Sequence, residues 1–121
     1  MAKNMEVAFL LDFYGEMLTE KQREVMDLYY NQDLSLAEIA EDDGITRQGV
    51  RDSIKRAETQ LMEMEERLGL AKRFTSMQEG LAVIRQAVEE IRRYNDRYVH
   101  ANPIAQSVRQ IEEQTDKLEE S

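Results

Sequence analysis

Residues 34–56 read LSLAEIAEDDGITRQGVRDSIKR, and this stretch has the spacing of a helix-turn-helix. Ser35 with Glu38 three residues later forms a capping box, which predicts that the first helix begins here. Gly44 can adopt the positive φ that ends a helix, and Thr46 can cap the next one. The small side chain of Ala40 allows the two helices to approach closely. The residues expected to fill the core between them are Ile39, Ile45, Val50 and Ile54.

The segments on either side of this stretch also show helical patterns. Thr19 and Gln22 form a second capping box, which predicts the start of another helix. After Thr46 the apolar positions alternate in steps of four and three as far as Leu68, so one long helix is predicted to reach Gly69. The first segment also predicts a helix, because its apolar residues recur at helical spacing, at Met5, Phe9, Phe13 and Met17, flanked by Leu10 and Tyr14.

Two more apolar seams follow, one from Met77 to Tyr98 and one from Ile104 to Leu118. Asn102-Pro103 marks a break between them, because proline disfavours helix at the residue before it and is tolerated in a first turn. The predicted fold class is all-α, with a helix-turn-helix domain at residues 1–69 and a helical hairpin at residues 70–121. Because two helices with narrow seams bury little surface, we expect the hairpin to pack on the long helix or on a second copy, as a self-association element.

The second helix of the helix-turn-helix would lie in a DNA major groove, with its first turns facing the base edges. Arginine and lysine pair with guanine, and glutamine pairs with adenine. The hydroxyl of the capping threonine and the amides at the helix start could hold a phosphate. The candidate DNA-binding residues are Thr46, Arg47, Gln48, Arg51, Lys55 and Arg56. A simple helical corner with a solvated basic face is the competing interpretation.

The charge of the 121-residue chain is unevenly distributed. Its net charge of −9 argues against a protein that coats nucleic acid through bulk charge. Residues 1–45 hold 3 basic and 11 acidic groups, so their net charge is −8. Residues 57–121 hold 9 basic and 13 acidic groups, so their net charge is −4. Residues 46–56 hold 4 basic groups and 1 acidic group, which gives +3 on the predicted DNA-reading helix. Binding by one copy should therefore be weak and salt-sensitive, and a dimer on a symmetric site would compensate.

The composition excludes several kinds of site. The chain has no cysteine, which excludes disulfides and thiolate zinc sites, and its one histidine, His100, has no second histidine or cysteine to share a metal. Asp42-Asp43 lacks the alternating carboxylates of a calcium loop. We therefore expect a non-enzymatic protein with no cofactor and no metal. The longest apolar run near the start, Val7–Leu11, is too short for a signal sequence or a membrane span, so a cytoplasmic location is expected.

Two family resemblances rest on particular motifs. Residues 34–61 resemble the fourth region of bacterial primary sigma factors, which is a helix-turn-helix that reads promoter DNA. The segments that carry this resemblance are Leu36-Ala-Glu-Ile-Ala40, Ile45-Thr-Arg-Gln48 and Val50-Arg51. Most of the chain resembles the YlxM-type family of small bacterial helix-turn-helix proteins. The matching segments are Leu18-Thr-Glu-Lys-Gln-Arg23, Leu28-Tyr-Tyr30, Leu34-Ser-Leu36, Glu38-Ile-Ala-Glu41, Arg47-Gln48 and Ile54-Lys-Arg56.

The YlxM-type resemblance implies a DNA-binding regulator and, through gene neighbourhood, a link to the signal recognition particle pathway. Arg51 departs from the family pattern, which often has an aromatic residue at that position. The leading hypothesis is a sequence-reading regulator that binds double-stranded DNA as a homodimer. The alternative is a protein-interaction module of the signal recognition particle or of RNA polymerase, without direct DNA readout. RNA binding is less favoured, since the basic window has no neighbouring pairs of exposed aromatic residues.

Overall fold

The computed structural model describes residues 3–120, and every secondary-structure element in this range is helical. The prediction of an all-α fold is confirmed. The chain divides into two compact units, one up to Lys72 and one from Arg73 onward. The helices are α1 (Met5–Tyr14), α2 (Glu20–Tyr30), α3 (Leu36–Asp43), α4 (Arg47–Leu68), α5 (Leu70–Tyr94) and α6 (Asn102–Glu120), with a 3₁₀ turn at Gly15–Met17 and a π-helical turn at Asn95–Val99.

Local capping interactions set the helix boundaries of the first unit where the sequence predicts them. The Thr19 side chain accepts a hydrogen bond from the Gln22 amide at the start of α2, and Ser35 accepts one from the Glu38 amide at the start of α3. Both capping boxes are complete. Gly44 ends α3 at φ +67° and Gly69 ends α4 at φ +63°, a conformation that glycine adopts at little cost.

The core of the first unit is built around one stripe of α4. Side chains of α1, α2 and α3 cover this stripe, and their packing removes most of the apolar surface of the unit from water. Tyr14, Val25 and Ile39 are fully buried against it, one from each of these three helices. The stripe itself consists of Val50, Ile54, Ala57 and Leu61.

The regular apolar repeat of α1 is not its buried face. Met5 is 81% exposed and Phe9 is 38% exposed, whereas the buried residues are Val7, Leu10, Leu11 and Tyr14. Since α1 is apolar on almost every side, its periodicity does not distinguish one face from another.

The position predicted for Ile45 is also wrong. Its side chain is 43% exposed and is not part of the core between α3 and α4. It follows the left-handed turn at Gly44 and lies along the outside of the first turn of α4, where its Cδ1 atom is 3.8 Å from the ideal Cβ position of Gly49.

The start of α5 depends on a contact between residues that are distant in the sequence. The hydroxyl of the buried Tyr14 donates to Glu65 Oε1 at 2.6 Å and accepts from the Leu70 amide at 3.0 Å. The Glu65 carboxylate also accepts hydrogen bonds from the Ala71 and Lys72 amides, both at 3.0 Å. These bonds satisfy the free amides of the new helix. The hydrogen bond from Tyr14, followed by those from the two amides, holds the pKa of Glu65 below its ordinary value. Burial and the nearby carboxylate raise the pKa of Tyr14.

The second unit contains the rest of α5 and all of α6, which pack as a hairpin. One residue per heptad is buried in this hairpin: Leu81 and Val88 on α5, Asn95 at the start of the π-helical turn, and Val108 and Thr115 on α6. The Asn95 side chain closes the connection, because it donates to the Ala101 carbonyl at 3.0 Å and accepts from the Ala101 amide at 2.9 Å. His100 is exposed in the turn, at φ +52°.

We predict that Glu65→Gln destabilises the protein at neutral pH, because an amide NH₂ group cannot accept from the Lys72 amide. Because the pKa of Glu65 is lower in the folded protein, its carboxylate stabilises the fold at pH values above its pKa in the unfolded chain, about 4.3. This contribution is lost as the pH falls through the pKa of Glu65 in the folded protein. Thermal melts should therefore show a lower Tm for the variant at pH 7 and a much smaller difference in acid. An equal difference at both pH values would contradict this role.

We also predict that Thr46→Ala lowers the free energy of unfolding by about 1 kcal/mol, since the Thr46 hydroxyl accepts from the Gly49 amide at 2.9 Å and caps α4. Thr46→Ser is the control, because serine retains the hydroxyl. Urea denaturation at equilibrium measures both. A loss as large in the serine variant would show that the hydroxyl is not the stabilising group.

Candidate nucleic-acid interface

The helix-turn-helix is formed by α3, the turn at residues 44–46 and the first half of α4. The Ile45 amide donates to the Ala40 carbonyl at 3.2 Å across the turn, and the Gly44 amide also donates to this carbonyl. Ile39 and Ala40 on α3 are buried with Val50 on α4. This packing leaves the opposite side of α4 exposed.

The exposed side of α4 presents two neighbouring stripes of polar side chains. Arg47, Arg51 and Lys55 are four residues apart, so they lie along one line of the helix surface, and all are exposed. The adjacent line contains Gln48, Asp52 and Arg56, also exposed. The structure therefore brings five of the six predicted DNA-binding side chains to this side, in two rows, and places the sixth, Thr46, at the helix start.

The cations of these two rows lack carboxylate partners within the described part of the chain. Among residues 3–120, no carboxylate oxygen lies within 4.0 Å of the charged nitrogens of Arg47, Arg51, Lys55 or Arg56. In the second unit, by contrast, Arg85 pairs with Asp116 at 2.9 Å. The α4 cations are thus available to an external anion.

Gln48 is held in place by a neighbour that the sequence analysis left out of the site. Its Nε2 donates to Asp52 Oδ1 at 2.9 Å, one helical turn further along. The second N–H of the amide and its carbonyl oxygen remain, and these are the groups that a glutamine presents to adenine. The i, i+4 spacing in the sequence is the signal that could have identified this pair.

The start of α4 has two free amides next to the capping threonine. Thr46 accepts from the Gly49 amide, and the first hydrogen bond within the helix runs from the Val50 amide to the Thr46 carbonyl at 3.0 Å. The amides of Arg47 and Gln48 precede that bond and face outward along the helix axis. Gly49 suits this turn because an added Cβ would lie 3.2 Å from Thr46 Oγ1 and crowd the cap.

An acidic cluster lies at the end of α3, beside the turn. Carboxylate oxygens of Glu24, Asp42 and Asp43 all lie within 4.8 Å of one another. The Asp43 side chain is only 4% exposed, and its Oδ2 lies 3.3 Å from Lys21 Nζ. The ammonium group offsets part of this charge. Sequence reasoning missed Glu24 and Lys21, since both come from α2 and no local pattern links them to α3.

Within residues 3–120, each helix is too short or too polar to cross a lipid bilayer.

Comparison with known proteins identifies a family and several relatives of this chain. The family described as "UPF0122: Putative helix-turn-helix protein, YlxM / p13 like" matches residues 1–99. A UPF0122 protein of Acetivibrio thermocellus is 48% identical over 91 residues, which cover 75% of this chain and 78% of the relative. A UPF0122 protein of Clostridium kluyveri is 45% identical over 97 residues, covering 80% and 86%, and one of Halalkalibacterium halodurans is 47% identical over 88 residues, covering 73% and 81%. The chain therefore belongs to the UPF0122 family, the YlxM / p13-like proteins.

Proposed function

We propose that this protein is a non-enzymatic, cytoplasmic regulator that binds double-stranded DNA through the first half of α4. The observation that supports this most strongly is the set of exposed cations without carboxylate partners on that helix. They lie on the second helix of a helix-turn-helix, in a chain whose net charge is −9. Such a concentration of positive charge favours an anionic ligand.

Each residue has a distinct role in this proposal. Arg47 and Arg51 lie nearest the helix start, where a recognition helix meets the base edges, and pair with guanine. Gln48, held by Asp52, pairs with adenine. Lys55 and Arg56 lie further along the helix and contact phosphates. Thr46, with the free amides beside it, binds a phosphate at the helix N-terminus.

The charge distribution determines how strongly one copy binds. Residues 46–56, with a net charge of +3, can neutralise only a few phosphates. The affinity of one copy for DNA is therefore low and falls steeply as the salt concentration rises. The acidic cluster of Glu24, Asp42 and Asp43 beside the turn repels DNA that is not aligned with α4. A homodimer binding two half-sites would raise the effective affinity.

We predict that Arg47→Ala combined with Arg51→Ala reduces the affinity for duplex DNA by roughly tenfold or more at low salt, because two base contacts are lost. The slope of log affinity against log salt should change little, because in this proposal these two arginines contact bases rather than phosphates. Fluorescence anisotropy with labelled genomic duplexes, at several salt concentrations, measures both quantities.

The matched control is Arg93→Ala combined with Arg109→Ala. It removes the same charge from exposed arginines of the second unit and should leave the affinity nearly unchanged. Equal losses in the two double variants would indicate a bulk charge effect, and binding that survives the Arg47 and Arg51 substitutions would exclude this groove model.

The second candidate function is a protein-interaction module of the signal recognition particle or of the transcription machinery. It is supported by the acidic surroundings of the basic window and by the exposed apolar side chains of Met5 and Phe9 on α1. Phe9→Glu should then abolish binding to the purified signal recognition particle or RNA polymerase, while Arg47→Ala should not. Two results together would exclude this alternative: the wild type binds neither assembly, and the Phe9→Glu variant binds DNA as the wild type does.

A further inference from the structure

The side chain of Ile45 is exposed at the start of α4, next to the candidate DNA-binding residues. Every other large apolar side chain from Leu18 to Leu61, a range that the structure describes completely, is buried or half-buried. Ile45 is 43% exposed. The one large apolar side chain that this range exposes therefore lies at the end of the helix whose residues a helix-turn-helix places against the base edges.

The backbone on both sides of Ile45 is fixed by hydrogen bonds. Gly44 takes φ +67°, and the Ile45 amide donates to the Ala40 carbonyl at 3.2 Å across the turn. Thr46 follows in an extended conformation and accepts from the Gly49 amide at 2.9 Å, which starts α4. The position of the Ile45 side chain is thus set before any ligand binds, and a preorganised contact costs little conformational entropy.

The side chain of Ile45 lies against the first turn of α4, beside Gln48. Its Cδ1 atom is 3.8 Å from the ideal Cβ position of Gly49, the residue that follows Gln48. Because Gly49 has no side chain, this part of the helix surface is open. Successive residues of a helix are about 100° apart, so Gln48 lies between Arg47 on one side and Gly49 on the other. Ile45 therefore adds an apolar group to the predicted base-reading surface, on the side of Gln48 away from Arg47.

An apolar side chain on this surface has one matching group in a DNA major groove. The base edges there present hydrogen-bond donors and acceptors, and the C5-methyl group of thymine is the apolar group among them. An adenine that is read by a glutamine is paired with a thymine, so such a methyl group lies in the same part of the groove. Contact between this methyl group and Ile45 removes apolar surface of both from water.

We propose that Ile45 is a specificity-determining residue that contacts a thymine methyl group in the major groove, beside the adenine bound by Gln48. This inference rests on the proposed DNA binding and deepens it, because it assigns A·T pairs to the part of the site that faces the start of α4. The contact involves no phosphate, so the preference for thymine does not depend on salt.

Replacement of thymine by deoxyuridine tests the proposal, because it removes the methyl group and retains the hydrogen-bonding groups of the A·T pair. A set of genomic duplexes is synthesised in both forms, and fluorescence anisotropy measures the affinity of the full chain for each. The wild type should bind the thymine form about fourfold more tightly for each methyl group contacted. This ratio should be the same at low and at moderate salt.

The variant Ile45→Ala should bind the two forms with nearly equal affinity, because the side chain no longer reaches the methyl group. The matched control is Met17→Ala, which shortens an exposed apolar side chain in the 3₁₀ turn outside the helix-turn-helix and should keep the wild-type ratio. A residue that only stabilised the start of α4 would, when substituted, weaken binding to both forms alike. An unchanged ratio in the Ile45→Ala variant therefore overturns the proposal.

A second measurement uses the wild type and covers the case in which Ile45→Ala does not fold. Nuclear Overhauser effects from labelled isoleucine methyl groups to thymine methyl protons should appear for Ile45 and be absent for the buried Ile39 and Ile54. DNA binding without this signal, or equal binding of both duplex forms by the wild type, overturns the role of Ile45 and leaves the proposed DNA binding standing. A wild type that binds no duplex overturns both.

Discussion

The packing of one stripe of α4 against α1, α2 and α3 is the constraint on which the first unit depends. Val50, Ile54 and Leu61 are fully buried in it. Because this stripe must face the core, the polar residues between its members must face outward. The exposed rows of arginine, lysine and glutamine therefore have their positions fixed by the same contacts that stabilise the fold, and the site requires no separate scaffold.

The net charge of the protein does not show how its charges are distributed along the chain. A chain with a net charge of −9 is a poor general binder of nucleic acid, yet residues 46–56, whose net charge is +3, lie where a helix-turn-helix would touch DNA. The cations of the second unit are used differently, since Arg85 and Arg92 form ion pairs between α5 and α6. Exposed pairs of this kind add little stability.

The sequence predicted those features that depend on residues close together in the chain. The caps at Thr19, Ser35 and Thr46 lie within three residues of their partners, and all three are confirmed. The heptad seam after Thr46 also predicted that α4 reaches Gly69, and this is confirmed. The set of candidate DNA-binding residues came from the same local pattern, and its role stays a prediction.

Features that depend on tertiary packing could not be predicted from local sequence patterns. The buried face of α1 could not be predicted, because an almost wholly apolar helix carries no directional signal. The contact of Tyr14 with Glu65 joins residues 51 positions apart, and only the fold brings them together. The same holds for Lys21 and Asp43. The exposure of half of each hairpin seam was likewise not predictable, since a heptad pattern shows which residues are apolar and not which of them are buried.

The most direct test of DNA binding by α4 is a titration of isotopically labelled protein with duplex DNA at low salt, followed by amide chemical shifts. Shifts concentrated in residues 46–56, with α1 and the hairpin unaffected, are the predicted result. Shifts confined to other helices, or none at all when the duplex is in excess, would contradict the assignment of this helix as the DNA-binding element.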